Sequence, residues 1–107
     1  MTSKVCTLLL GGIRMKKITL IVPCFNEQEA LPFFYSEAIA VMENLDYEYE
    51  LLFINDGSED GTLTVLKTLA ENDDALQYIS LSRNFGKEAA MYAGFRNAKG
   101  DYVAVID

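Results

Sequence analysis

From Met15 onward, short unbroken apolar runs alternate with apolar stripes at helical spacing, and polar punctuation separates them. Ile18–Val22 is unbroken and β-branched, as a parallel strand buried on both faces reads. Glu29–Leu45 follows with Leu31, Phe34, Ala38, Val41, Met42 and Leu45 on one helical face. Pro32 fits the first turn of that helix, where no amide hydrogen bond is lost. Tyr49–Asn55 reads as a second strand. Thr62–Asn72 reads as a second helix, turning Leu63, Leu66, Leu69 and Ala70 inward, with Ser58–Asp60 supplying acceptors for its cap. Leu76–Leu81 is the third strand and Glu88–Ala98 the third helix, whose Ala89, Ala90, Ala93 and Gly94 permit close approach to a sheet. Gly100-Asp101 turns into a fourth strand, Tyr102–Ile106.

This alternation predicts an α/β fold, a parallel sheet of four strands with helices on both faces and right-handed crossovers. With strand order 3-2-1-4, the direction of winding reverses between strands 1 and 4, and ligands bind beyond the strands' carboxyl ends near such a reversal. Every polar cluster lies at one of those ends: Pro23–Glu27, Asp56–Ser58, Ser82–Lys87 and Asp107. The order would bring Pro23–Glu27 beside Asp107. Phe33, Phe34 and Tyr35 are expected as helix-on-sheet core, Tyr47 and Tyr49 as loop and strand packing, and Asp101 as a turn residue.

Composition narrows the chemistry. A chain of 107 residues, 50% hydrophobic and 23% charged, suffices for one globular core. Its net charge of −7 argues against non-specific nucleic-acid binding, which needs Lys and Arg to displace phosphate counterions. A phosphorylated ligand would need backbone amides or a divalent cation beside it. The chain has no histidine, so it holds no Ser-His-Asp or Cys-His site of its own. Cys6 and Cys24 form neither a metal-ligand spacing nor a disulfide framework, which fits a reducing, cytoplasmic setting, and Cys24 is expected to fill space after the first strand. Val5–Leu10 is far shorter than the about 20 apolar residues that span a bilayer. Residues 1–14 are expected to be a poorly ordered extension ahead of a domain covering 15–107.

Two nucleotide motifs fail. A dinucleotide fingerprint needs G-x-G-x-x-G directly after the first strand, where this chain has Pro-Cys-Phe-Asn-Glu. Gly86-Lys87 lacks the first glycine and the hydroxyl residue of a P-loop. The strand ends offer carboxylates and an amide instead, suited to a base, a ribose diol and a metal.

Four segments in this order resemble the amino-terminal half of a family 2 glycosyltransferase with the GT-A fold. They are Val22-Pro23-Cys24-Phe25-Asn26-Glu27, Ile54-Asn55-Asp56-Gly57-Ser58-Glu59-Asp60-Gly61-Thr62, Ser82-Arg83-Asn84-Phe85-Gly86-Lys87-Glu88-Ala89-Ala90 and Gly100-Asp101-Tyr102-Val103-Ala104-Val105-Ile106-Asp107. The R-N-F-G-K segment is similar to the dolichol-phosphate-mannose synthase and bactoprenol glucosyltransferase branch. The resemblance implies that Pro23, Phe25 and Glu27 hold the nucleotide base and ribose, and that Asp56 binds base or ribose. It further implies that Ile54 lines the pocket, with Ser58 in the same segment, and that Arg83 and Lys87 shape the donor site. Asp107 matches the first acid of a D-x-D motif that binds Mg²⁺ or Mn²⁺. A complete member would move a sugar from a UDP- or GDP-sugar to a lipid carrier such as polyprenyl phosphate, at the cytoplasmic face of a membrane. The resemblance stops at Asp107, before the second acid and the catalytic-base region, so no catalytic residue is expected within this chain and it is expected to be inactive alone.

Other readings stay open on the residues themselves. Asp56 and Ser58 could serve only as helix caps, Glu27 as a first-turn acid, and Arg83 and Lys87 as solvated surface. A non-catalytic α/β phosphate-binding module is one alternative, although a receiver would want an acceptor Asp where Ser82-Arg83-Asn84 stands. A fragment that self-associates as a homo-oligomer through an exposed sheet edge is another.

Overall fold

The computed structural model describes residues 16–106, so the expected extension over 1–14 and the expected metal ligand Asp107 lie outside the described residues. Four strands form one parallel sheet: β1 (Lys17–Cys24), β2 (Glu48–Asn55), β3 (Leu76–Ser80) and β4 (Tyr102–Val105), in the order β3-β2-β1-β4. Three helices connect them: α1 (Leu31–Glu43), α2 (Thr62–Glu71) and α3 (Lys87–Asn97). Fold class and strand order match the expectation.

The pleat sorts side chains between two cores. Leu20, Val22 and Cys24 of β1 and Tyr49, Leu51 and Phe53 of β2 face α1 and α2, where Leu31, Ala38, Met42 and Leu66 close the layer. The alternate positions, Ile21, Leu52 and Ile54, face α3 through Ala90. Helices on opposite faces follow from handedness. The first two crossovers step from β1 to β2 to β3, whereas the third returns past β2 and β1 to β4, so keeping one hand moves its helix to the other face.

Sequence periodicity assigned most inward positions, with differences on α1. Leu31, Ala38 and Met42 are buried and Phe34 meets Phe53 edge-on at 6.2 Å. Val41 (60%) and Leu45 (40%) are exposed, and Phe33 (76%) points to solvent. The stripe through 31, 38 and 42 leaves 33 and 41 off the sheet-facing side, and Leu45 lies beyond the end of the helix. Pro32 does occupy the first turn. Tyr47 packs edge-on against Tyr102 at 6.1 Å.

Small residues decide how close α3 comes. A Cβ on Gly94 would lie 2.6 Å from Ile21 Cγ2, so only a bare Cα lets the helix rest on β1 at this distance. Below it, Glu50 is a carboxylate within a strand otherwise buried as apolar core, 5% exposed. It accepts hydrogen bonds from Thr19 Oγ1 (2.6 Å) and the Lys99 amide (2.8 Å), while Thr19 Oγ1 accepts one from the Gly100 amide (2.9 Å). These contacts fix the turn that feeds β4. Asp101 completes that turn, accepting from the Lys17 amide at 2.8 Å.

Candidate functional site

Loops after β1, β2 and β3 gather at the carboxyl edge of the sheet, and the end of β4 lies beside the first of them. The amide of Ile106 donates to the Ile21 carbonyl at 2.9 Å, continuing the β1–β4 ladder. A cleft of about 200 Å³ lies there, lined by Pro23, Cys24, Glu27, Leu31, Phe34 and Ile106 among others.

The first two loops are cross-bonded in both directions. The Asn26 amide donates to Ser58 Oγ (2.9 Å), and the Glu59 amide donates back to Asn26 Oδ1 (2.8 Å). The Glu27 amide donates to Thr62 Oγ1 and the Gly61 amide to Gln28 Oε1, both at 2.9 Å. Asn26 takes φ 55°, a left-handed conformation that asparagine tolerates better than most residues. Just ahead of α2, Asp60 Oδ1 accepts from the Thr62 amide at 2.9 Å and from its hydroxyl. Ser58 serves the facing loop instead.

The third loop is held by Asp56. This residue is 4% exposed, and its carboxylate accepts from the Phe85 amide (2.8 Å), the Gly86 amide (3.0 Å) and Asn84 Nδ2 (3.3 Å). Asn84 Nδ2 also reaches the Asp56 carbonyl at 3.2 Å. Next to it, Gly57 has φ 68°, and a Cβ there would stand 2.1 Å from the Arg83 carbonyl carbon. The loop carries the Arg83 guanidinium 4.2 Å above the Phe85 ring, a cation–π pair at the surface.

Glu27 is exposed at the rim, Pro23 is half-buried in the cleft wall, and Phe25 is exposed in the same loop. Arg83 and Lys87 are exposed on and after the third loop. Asp56 and Ser58 lie in the seams between loops. Ile54 is fully buried in the core beneath α3 and presents no side-chain surface to a ligand, because its place in the pleat faces the helix. The roles of Asn26, Asn84 and Glu50 were not readable from the sequence. Only the place of Asn26 and Asn84 inside the quoted motifs pointed toward them.

The field at this edge is negative. Burial first, then the charges of Glu27, Asp60 and Asp56, push the Cys24 thiol up to about 12, so it stays protonated as a core residue. Hydrogen bonding from Thr62 lowers Asp60 below the ordinary carboxylate value. A diphosphate here would need countercharge, for which Arg83, Lys87 or a cation would serve. Among the described residues, no group of three or more His, Cys, Asp or Glu is arranged to hold a metal ion.

Comparison with known proteins gives a consistent picture. Residues 19–107 match the family described as glycosyl transferase family 2. Over 91 residues the chain is 48% identical to a bactoprenol glucosyl transferase of Shigella phage SfV, covering 85% of this chain and 30% of that protein. It is 36% identical over 96 residues to an undecaprenyl-phosphate 4-deoxy-4-formamido-L-arabinose transferase of Sodalis glossinidius, covering 89% of this chain and 29% of that one. The chain thus spans less than a third of the length of these relatives. Among solved structures, it superposes on the mannosyltransferase PcManGT from Pyrobaculum calidifontis, solved with GDP-Man and Mn²⁺, with TM-score 0.66 and 26% identity over 83% of this chain and 26% of that one.

Proposed function

The chain belongs to glycosyl transferase family 2, and we propose that it forms the donor-nucleotide-binding part of an enzyme that moves a sugar from a UDP- or GDP-sugar to polyprenyl phosphate. Its four-stranded sheet is the amino-terminal part of a GT-A fold. The observation that carries the reading is the convergence of three cross-bonded loops with the end of β4, at the point where strand order reverses. The relatives named for bactoprenol and undecaprenyl phosphate support a lipid carrier as acceptor, and the neighbour solved with GDP-Man supports a nucleotide-sugar donor.

In this reading Pro23, Phe25 and Glu27 receive base and ribose, and Arg83 and Lys87 face the diphosphate. A divalent cation, Mg²⁺ or Mn²⁺, suits the carboxylate Asp107, which follows the β4 end lining the cleft. Mg²⁺ in particular is commonly held by one or two carboxylates together with substrate phosphates. When bound, such a cation offsets charge that builds on a departing diphosphate. No helix among the described residues is long and apolar enough to cross a membrane. The lipid carriers named for the relatives support a donor part that works beside a membrane, at its cytoplasmic face in this reading.

Calorimetric titration with UDP and GDP, each with and without Mn²⁺, tests the reading. Metal-enhanced binding of one nucleotide is expected; a folded sample that binds neither would remove the donor site from this chain. The chain by itself is expected to bind nucleotide without transferring sugar, and labelled transfer to polyprenyl phosphate by these 107 residues would refute that.

A second reading, self-association, rests on a different observation. β4 is an edge of the described sheet, with Tyr102 53% and Val103 41% exposed. An open edge of this kind pairs readily with another copy. Light scattering should then report a dimer or larger species that Val103→Lys returns to monomer; a monomeric wild-type chain at high concentration would refute this reading.

A further inference from the structure

Three consecutive amides of the first loop are taken up by side chains of the second. Asn26 donates to Ser58 Oγ, Glu27 to Thr62 Oγ1 and Gln28 to Asp60 Oδ2, at 2.9, 2.9 and 3.3 Å. Two amides of the second loop answer: Glu59 donates to Asn26 Oδ1 (2.8 Å) and Gly61 to Gln28 Oε1 (2.9 Å). Of these five acceptors Thr62 alone is fully buried; Asn26, Gln28 and Asp60 are exposed and Ser58 is half-buried. We propose that Thr62 is a positioning residue for the donor site. Its hydroxyl fixes the backbone of Glu27, so that the Glu27 carboxylate meets the ribose and base at the cleft rim. This deepens the donor-site reading above and rests on it.

A hydroxyl suits this place because it donates and accepts at once. Thr62 donates to Asp60 Oδ1, and its oxygen accepts from the Glu27 amide. The carbonyl of Glu27 is held as well, accepting from the Leu31 amide at 2.9 Å in the turn that opens α1. With N–H and C=O both tied, the freedom left to Glu27 lies in its side chain, at the rim of the cleft. Thr62 acts indirectly by necessity: at 0% exposure it has no surface for a nucleotide to touch. Without the hydroxyl, the Glu27 amide loses its acceptor and turns to water, which releases the loop. Asn26, just before it, takes φ 55°, a conformation that persists only where the surrounding bonds fix it.

The test compares the 107-residue wild-type chain with Thr62→Val and Thr62→Ser. The readouts are amide hydrogen exchange, urea unfolding, and titration with UDP and GDP in the presence of Mn²⁺. Valine keeps the shape and removes the hydroxyl; serine keeps the hydroxyl and removes a buried methyl. In Thr62→Val the Glu27 amide should exchange at least tenfold faster and nucleotide affinity should fall at least fivefold. Thr62→Ser should unfold at lower urea, yet keep that amide and the affinity within twofold of wild type. A merely structural threonine would not separate stability from binding in this way. Equal affinity losses in the two variants would overturn the proposal, as would a Thr62→Val chain that frees the amide but binds like wild type. A Glu27 amide still protected in Thr62→Val overturns it as well. Should Thr62→Val fail to fold, Asn26→Gly opens the same seam, because glycine accepts the left-handed φ and lacks the Oδ1 acceptor. There the Glu59 amide should quicken and affinity fall together, and any other pairing of the two readouts overturns the proposal. If wild type binds neither nucleotide, the donor-site reading falls and this role of Thr62 falls with it. If wild type binds and the variants behave otherwise than stated, the role of Thr62 alone is refuted.

Discussion

At Gly57 the backbone combines a left-handed φ of 68° with a neighbouring chain so close that a methyl group would overlap the Arg83 carbonyl carbon. Gly57→Ala therefore meets two penalties, a strained dihedral of about 1–3 kcal/mol and a clash that must displace the third loop. Urea denaturation should register at least that loss, with the Phe85 amide losing protection. Cys24 makes the opposite kind of prediction. Buried, 6% exposed and pushed up to about 12 by burial and three carboxylates, its thiol should resist alkylation at neutral pH in the folded chain. Mass spectrometry of a Cys6→Ser variant treated with iodoacetamide checks this; rapid labelling without denaturant would contradict the burial.

The contact of α3 with β1 reverses a familiar preference. Glycine to alanine in an exposed helix interior gains up to about 1 kcal/mol. Gly94→Ala should instead cost about 1–3 kcal/mol, because its Cβ would stand 2.6 Å from Ile21. Thermal unfolding gives the sign directly. Such local spacing is what a sequence displays well: Ala90, Ala93 and Gly94 were readable as a close-packing stripe, although Ala89, expected with them, is exposed, and Ile18–Val22 was readable as a buried strand. Val41 and Leu45 were misassigned because apolar residues also sit on solvent-facing positions, where periodicity alone cannot reject them. Glu50 and Asp56 were harder for another reason. Their partners lie 49 and about 30 residues away in the chain, so no local pattern could connect the carboxylate to the amide it holds. The site was legible as a set of strand ends; which groups bond to one another was not.

For the molecule as a whole, two phenols, Tyr49 buried and Tyr35 half-buried, bear on its tolerance of alkali. Burial first, then the charge of Glu43, raises Tyr49 to about 12; burial and the hydrogen bond to Asp73 raise Tyr35 further still. Free tyrosine titrates near about 10. The neutral phenol is thus favoured in the fold, and its contribution is complete below about pH 10 and lost as pH rises through the folded values. Urea midpoints should hold between about pH 7 and 9 and then fall, and Tyr35→Phe should flatten that fall. A midpoint independent of pH up to about 11 would contradict it. The sheet also has a temporal side. β2 and β3 each pair with the strand made just before, whereas β4 must find β1, and the Lys17–Asp101 contact spans 84 residues. Of the three strand pairings this one closes the longest stretch of chain, and closure entropy grows with that length. During synthesis, β1 therefore waits with a bare edge until Tyr102–Val105 has emerged, and a ribosome stalled before Tyr102 would hold a nascent chain whose first strand is open to any partner that arrives sooner.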